Sequence, residues 1–216
     1  MKTRISLFVV VAALAFAGTA SAQLRGGTVE INGFAGYLFG GGLGHGPADA
    51  NFDYPYHVDI GDDLNYGGRI GYNFNSVFET EFEYARTETH FVSNPDRGNL
   101  PNVDFGNLTL QYFMGYLTFN FGHSRLVPYF TIGGGVGDFQ STVPGFLGTR
   151  SKSRGTAAIG GGVKYFFSPH FGLRGDGRLY SSYLGSETVL CGYYYTCTQT
   201  NWVTNFVMNG GIVIAF

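Results

Sequence analysis

The sequence predicts an all-β chain closed into an eight-stranded, antiparallel, up-and-down transmembrane β-barrel, and three observations carry that prediction. Runs in which apolar and polar residues alternate recur from one end of the chain to the other, the period-2 signature of strands whose two faces meet different surroundings. Tight and long connections follow one another in strict alternation between those runs, the layout of a barrel with short turns at one membrane surface and long loops at the other. The last run places Trp202, Phe206, Met208, Ile212, Ile214 and Phe216 on one face and ends on an aromatic ring, as the closing strand of a bacterial outer-membrane barrel does.

Composition and the amino-terminal segment agree with that fold. Lys2 and Arg4 form a positive n-region, Ile5 to Ala17 an apolar h-region and Ala20-Ser21-Ala22 a small-residue cleavage site, so residues 1–22 read as a secretory signal cleaved after Ala22 and residues 23–216 as one barrel domain. The h-region is shorter than the ~20 residues of a transmembrane helix, and no later stretch reaches that length without Gly, Asn or charge. Removing Lys2 and Arg4 leaves 11 basic against 15 acidic residues, a formal charge of −4 that offers nucleic acid no basic footprint. Aromatics at 17% and 35 glycines are high, while charge at 13% is about half the roughly 25% of ordinary globular chains. A secreted β-sandwich could share the glycine but would carry more surface charge.

The strands are expected, in order, over 28–39, 64–74, 77–90, 105–121, 126–139, 154–167, 170–183 and 200–216. In the second, Leu64, Tyr66, Ile70, Tyr72 and Phe74 turn outward and Asn65, Arg69 and Asn73 inward; Asn75-Ser76 then turns the chain. In the third, Phe78, Phe82 and Tyr84 go out and Glu79, Glu81 and Glu83 in. The fourth is ambiguous, because Leu108, Leu110, Tyr112, Met114 and Tyr116 claim one face while Phe113, Leu117 and Phe119 crowd the other. After the turn at Gly122 to Arg125, the fifth and sixth strands share an Ile-Gly-Gly-Gly-Val run at 132–136 and 159–163. Neither run is a phosphate-binding motif, since no helix follows; glycines there leave room for large inward side chains from other strands. In the sixth, Ile159, Val163, Tyr165 and Phe167 go out and Lys164 in. Ser168-Pro169 turns into the seventh, where Phe171, Leu173 and Leu179 go out and Arg174, Asp176 and Arg178 in. The long connections are 40–63, 91–104, 140–153 and 184–199.

The stretches Asn65 to Phe74, Val127 to Val136 and Gly160 to Phe166, with the terminal Phe216, resemble the small OmpA-like outer-membrane β-barrel domain family over essentially all of the mature chain. The resemblance implies a bacterial outer-membrane location and a fold shared by structural proteins, adhesins and small pores. It leaves the activity open.

Charge inside the barrel is a requirement of the alternation, because Lys or Arg turned to lipid at midplane costs ~2–4 kcal/mol. Eight strands enclose a bore that side chains fill, so Arg69, Glu79, Glu81, Glu83, Lys164, Arg174, Asp176 and Arg178 are expected to meet as a lumen ion network. Such a network either gates the lumen or simply packs it, and the plainer packing role is preferred. Two aromatic belts are expected, one of Tyr72, Phe74, Phe78, Phe121, Tyr165, Phe167, Phe171 and Phe216 near the short turns, the other of Tyr37, Tyr66, Tyr84, Tyr180 and Trp202 near the long loops.

The loops supply the remaining candidates. Cys191 and Cys197, an even pair in an exported chain, are expected to form a disulfide; they cannot complete a metal set alone. Tyr193, Tyr194 and Tyr195 present a rigid aromatic surface. Asp49, Asp53, Asp59, Asp62 and Asp63 with His45 and His57 do not follow calcium-loop spacing and read as a solvated acidic loop. For lipid hydrolysis, only His90 stands near the outer rim, with Glu88, Ser93 and Asp96 close in sequence but not arranged as a triad. His123 and His170 fall in the short turns at the opposite end.

The sequence therefore predicts a non-enzymatic outer-membrane barrel without metal or cofactor, its structural or surface-interaction role carried by extracellular loops above a charged, plugged lumen. The alternative is a narrow porin-like channel. Termini face the periplasm, and the expected partners are outer-membrane lipid and lipopolysaccharide, the barrel-assembly machinery through the strand ending at Phe216, and a surface partner for the loops.

Overall fold

The computed structural model describes residues 26–45, 56–95, 103–122, 125–142, 149–184, 189–190, 196–199 and 202–216. Eight strands build the wall. They are β1 (Thr28–Phe39), β2 (Asp63–Asn73), β3 (Phe78–Pro95), β4 (Val103–Asn120), β5 (Leu126–Thr142), β6 (Thr149–Phe166), β7 (Phe171–Tyr183) and β8 (Trp202–Ala215). Each pairs antiparallel with the next, and β1 pairs with β8, with Phe34 opposite Gly67 on one side and Gly211 on the other. Closure removes the free edges that lipid could not satisfy. Phe216 extends the last seam, its N–H and C=O bonding the C=O and N–H of Val29 at 2.9 and 3.2 Å.

The short turns follow from their side chains. Asn75 Oδ1 accepts from the N–H of Val77 and of Phe78, both at 2.8 Å, and Ser168 Oγ accepts from the N–H of His170 and Phe171 at 3.3 and 3.0 Å. Both side chains replace the strand partners a reversing backbone loses. At the other end β3 to β6 run several residues past their expected limits, pairing as far as Ser93↔Val103, Asn107↔Thr142 and Thr142↔Thr149. Apart from Phe91, Val92, Pro95 and Val103 these extensions carry polar or charged residues, so no apolar alternation marks them.

The long connections, expected as loops, contain further strands. Gly42–His45 and Tyr56–Ile60 form a hairpin, and Tyr56–Ile60 continues onto the end of β3. Thr196–Gln199 adds to Gly42–His45 through Thr198↔His45 and Gln199↔Gly44, and Val189–Leu190 adds to Thr196–Gln199. The described strands of the first and last long connections thus pair with one another. Asn205 on β8 ties them down, its Oδ1 accepting from the N–H of Gly41 at 2.8 Å.

The outward face holds Ile70, Phe82, Ile132, Ile159, Leu173, Met208 and Ile212, all exposed, as alternation required. The fourth strand resolves with Leu108, Leu110, Tyr112, Met114 and Tyr116 buried inside and Phe113 and Leu117 outside. One belt assignment is corrected. Tyr180 shares the inward parity of Arg178, is fully buried, and belongs to the interior rather than the upper aromatic belt, whereas Tyr37, Tyr66 and Trp202 are exposed.

Candidate functional site

The interior is divided rather than uniformly polar. Toward the long connections it is apolar, a continuous cluster that includes Leu38, Ile60, Ala85, Leu108, Leu110, Met114, Val203 and Val207. Below it lies a layer of ionised side chains, and a smaller apolar cluster of Val127, Phe166, Val213 and Ala215 fills the β5, β6 and β8 side near the short turns.

Three inward glycines of β5 make the apolar cluster fit. Gly137, Gly135 and Gly133 lie opposite Tyr112, Met114 and Tyr116 of β4. A Cβ on Gly133 would stand 2.4 Å from the Tyr116 ring, and one on Gly135 would stand 2.9 Å from the Met114 sulfur. Gly160 and Gly162 on β6 do the same for Arg178 and Asp176 of β7, where a Cβ would fall 2.8 Å from side-chain carbon in each case. The glycine runs are therefore holes that receive large neighbours.

In the ionised layer, strands that face each other across the barrel meet. Arg174 on β7 forms a bidentate pair with Glu81 on β3, Nη1 to Oε1 at 2.7 Å and Nη2 to Oε2 at 3.1 Å. Arg178 Nη2 donates to the same Glu81 Oε2 at 3.1 Å. Arg69 on β2 grips Asp176 with two bonds of 2.6 and 3.0 Å and donates through Nε to Glu83. Arg178 Nη1 and Nε lie 3.0 Å from Glu83 and 3.3 Å from Asp176. Those two nitrogens make no hydrogen bond of acceptable angle, so the contact is one of charge alone.

Aromatic rings, which the sequence reading did not assign here, frame this layer. Each guanidinium carbon sits over a ring, Arg69 4.1 Å from Phe34, Arg174 4.3 Å from Tyr129 and Arg178 4.2 Å from Tyr116, within cation–π range. Tyr129 Oη accepts from Arg174 Nε at 2.7 Å and donates to Asp176 at 3.0 Å. Glu83 Oε1 accepts from Tyr116 at 3.1 Å and Tyr180 at 2.6 Å. Parity was the available signal, since Tyr116, Tyr129 and Tyr180 alternate with outward neighbours. Charge-assisted bonds of this kind are about twice as strong as neutral ones, yet the desolvation of six ions offsets much of that gain.

Lys164 stands apart from the arginines, 2.7 Å from Glu30 and 2.6 Å from Glu79. Glu30 was missed by the sequence reading although it shares the parity of Asn32 against the outward Ile31. All eight residues expected in the lumen network thus lie buried inside, with Glu30 added.

The other candidate chemistry is dispersed or lies outside the described residues. Glu88 is exposed and pairs with Arg86 at 2.8 Å, and His90 lies against Gly61, where a Cβ would be 2.7 Å from Nε2. The Ser93 side chain and Asp96 are outside the described residues, as are Asp49, Asp53, His123, Cys191, Tyr193, Tyr194, Tyr195 and the side chains of His45, His57 and Cys197. Asp62 and Asp63 spend a carboxylate oxygen each on backbone, accepting from the N–H of Gly40 at 2.9 Å and of Leu64 at 2.7 Å. His170 Nδ1 lies 3.2 Å from the Ala215 carbonyl. Among the described residues no group of three or more His, Cys, Asp and Glu could hold a metal ion.

The profile of the family described as outer membrane protein beta-barrel domain matches residues 8–202. Similar solved structures include OprG of Pseudomonas aeruginosa, 14% identical over 91% of this chain and 99% of that one with a TM-score of 0.58. Neisserial surface protein A is 14% identical over 88% and 99% at 0.56, and the N-terminal barrel domain of OprF of Pseudomonas aeruginosa is 18% identical over 89% and 100% at 0.51. No curated protein sequence is significantly similar to the chain.

Proposed function

The chain belongs to the outer membrane protein beta-barrel domain family, and from that premise we propose that it is a non-enzymatic barrel whose lumen is plugged and whose duties lie in its long connections. The observation that carries the plug is the set of pairs Arg174–Glu81, Arg69–Asp176 and Arg178–Glu81, which join β2 and β7 and the opposed walls β3 and β7. Guanidinium groups stacked on aromatic rings, in a bore of the width that side chains fill, support that reading. The long connections then face the outside and the termini the periplasm, with lipid and lipopolysaccharide around the wall, assembly proceeding through the strand that ends at Phe216, and Cys191 bridged to Cys197. The joint sheet of the first and last long connections gives the surface role a shaped platform.

A narrow channel is the alternative reading. It is favoured by Arg178, whose Nη1 and Nε face carboxylates without hydrogen bonding them, so a second arrangement of the ions is within reach. Conductance of the refolded barrel in a planar bilayer tests the two. A silent barrel, opened by Arg174→Ala, supports the plug; steady openings of the unaltered protein replace it with the channel.

A further inference from the structure

Among the described residues the ionised layer contains one negative charge more than its partners cancel, and that charge has a definite place. Arg69, Arg174 and Arg178 face Glu81, Glu83 and Asp176, three against three. Nearer the short turns, Lys164 is the one cation among the described residues that pairs with Glu30 and Glu79. An uncompensated buried carboxylate is costly enough that such groups neutralise themselves.

Three buried oxygens mark where neutralisation occurs. Asn73 Nδ2 donates to Glu30 at 2.8 Å and to Thr28 at 3.3 Å, and Asn120 Nδ2 donates to Glu79 Oε2 at 3.1 Å. Those bonds fix both amides with their oxygens free, for a flipped amide would turn oxygen toward carboxylate. Asn73 Oδ1, Asn120 Oδ1 and Glu79 Oε1 are then buried without a hydrogen-bond donor. Their residues are 0%, 1% and 1% exposed. Asn73 lies directly opposite Glu79 in the β2–β3 pairing. Glu79 Oε1 occupies space that Gly71 leaves open, since a Cβ there would stand 2.6 Å from it.

We propose that Glu79, with the amide oxygens of Asn73 and Asn120, is a buried binding site for a single positive charge, supplied by one proton or one small monovalent cation. All three atoms are hard oxygen acceptors, the donor type that protons and alkali cations share. A divalent ion would overshoot the deficit. The charged groups that act on Glu79 are Lys164, Glu81, Glu30 and Arg174; Asn120 and Thr118 of β4 and Thr131 of β5 are neutral. The site is independent of whether the lumen conducts.

The test is thermal unfolding of the refolded full barrel in detergent, comparing the unaltered protein with Glu79→Gln between pH 5 and pH 9. Choline chloride serves as background, and sodium chloride replaces it at constant ionic strength. If a proton fills the site, folding is coupled to uptake of that proton. The stabilisation is then complete at low pH and lost as pH rises, a fall of about 3 °C or more in the midpoint that Glu79→Gln lacks. If a cation fills it, sodium restores the midpoint at pH 9 in the unaltered protein and leaves Glu79→Gln unmoved. Should Glu79→Gln not fold, Glu30→Gln serves, because it leaves Lys164 matched to Glu79 and must abolish the same dependence. Unaltered and variant proteins that track one another through both pH and sodium overturn the proposal.

Discussion

Tyr112 and Tyr180 stack inside the barrel with ring centroids 4.6 Å apart and planes at 21°, and their hydroxyls point to different worlds. Tyr112 accepts from Asn205 at 2.8 Å, the residue that holds the joined long connections, while Tyr180 donates to Glu83 in the ionised layer at 2.6 Å. The stack therefore links the surface sheet to the ions. Tyr180→Phe keeps the ring and removes a bond to a charged acceptor, and is expected to cost about 1.5–3 kcal/mol. Urea unfolding followed by Trp202 fluorescence measures it; an unchanged midpoint would remove Glu83 as the hydroxyl's partner.

Arg174→Ala is expected to destabilise by about 3–5 kcal/mol, because it strands Glu81 beside Arg178 alone and empties the face of Tyr129. The double variant with Glu81→Ala should recover part of that loss. A double-mutant cycle reads the coupling, and additive losses would mean that the two groups do not depend on one another.

Gly133→Ala drives a methyl group into the Tyr116 ring and the Gly115 carbonyl, 2.4 and 2.3 Å away, so an overpacking loss of about 1–3 kcal/mol is expected. Gly155→Ala on β6 meets nothing within 4 Å and should be neutral or gain up to about 1 kcal/mol. Equal effects on heat resistance in gels would contradict the size matching between strands.

Deleting 184–199 removes the strand that covers Gly42–His45. Limited proteolysis should then cut between residues 40 and 62 while the wall strands stay intact. If the first connection resists as before, its pairing with the last contributes nothing to its order.

If Cys191 and Cys197 are bridged as proposed, exported protein differs by two hydrogen masses between reduced and untreated samples. Free thiols in both samples would exclude it.

How much was legible follows from where lipid constrains the chain. Glu79, Glu81, Glu83, Lys164, Arg174 and Arg178 could be placed inside because their neighbours are apolar and a charge cannot face hydrocarbon. The fourth strand could not be placed, since Leu110 and Leu117 are equally acceptable to a membrane and to a packed interior. The polar Thr118 and Asn120, which share the parity of Leu110, held the answer. Tyr180 was misplaced because a tyrosine near a strand end suits an interfacial belt, although counting by two from Arg178 puts it inside. Asn73 and Asn120 were unreadable as part of a site, because their role depends on which amide atom each spends on a carboxylate. The paired connections escaped notice because their strands, Gly42–His45, Tyr56–Ile60, Val189–Leu190 and Thr196–Gln199, are too short for an apolar alternation to stand out.

The glycines of β5 settle a question that alternation leaves open. Sliding one strand past its neighbour by two residues keeps every side chain on its own side of the wall, so the pattern cannot tell the native pairing from that slip. Tyr112, Met114 and Tyr116 against Gly137, Gly135 and Gly133 can tell it. A slip in one direction drives Tyr112 into Phe139, and a slip in the other sets Tyr116 against Thr131 and leaves a hole beside Leu110. The seam works as a key cut in three steps, and its bits are large side chains facing absent ones.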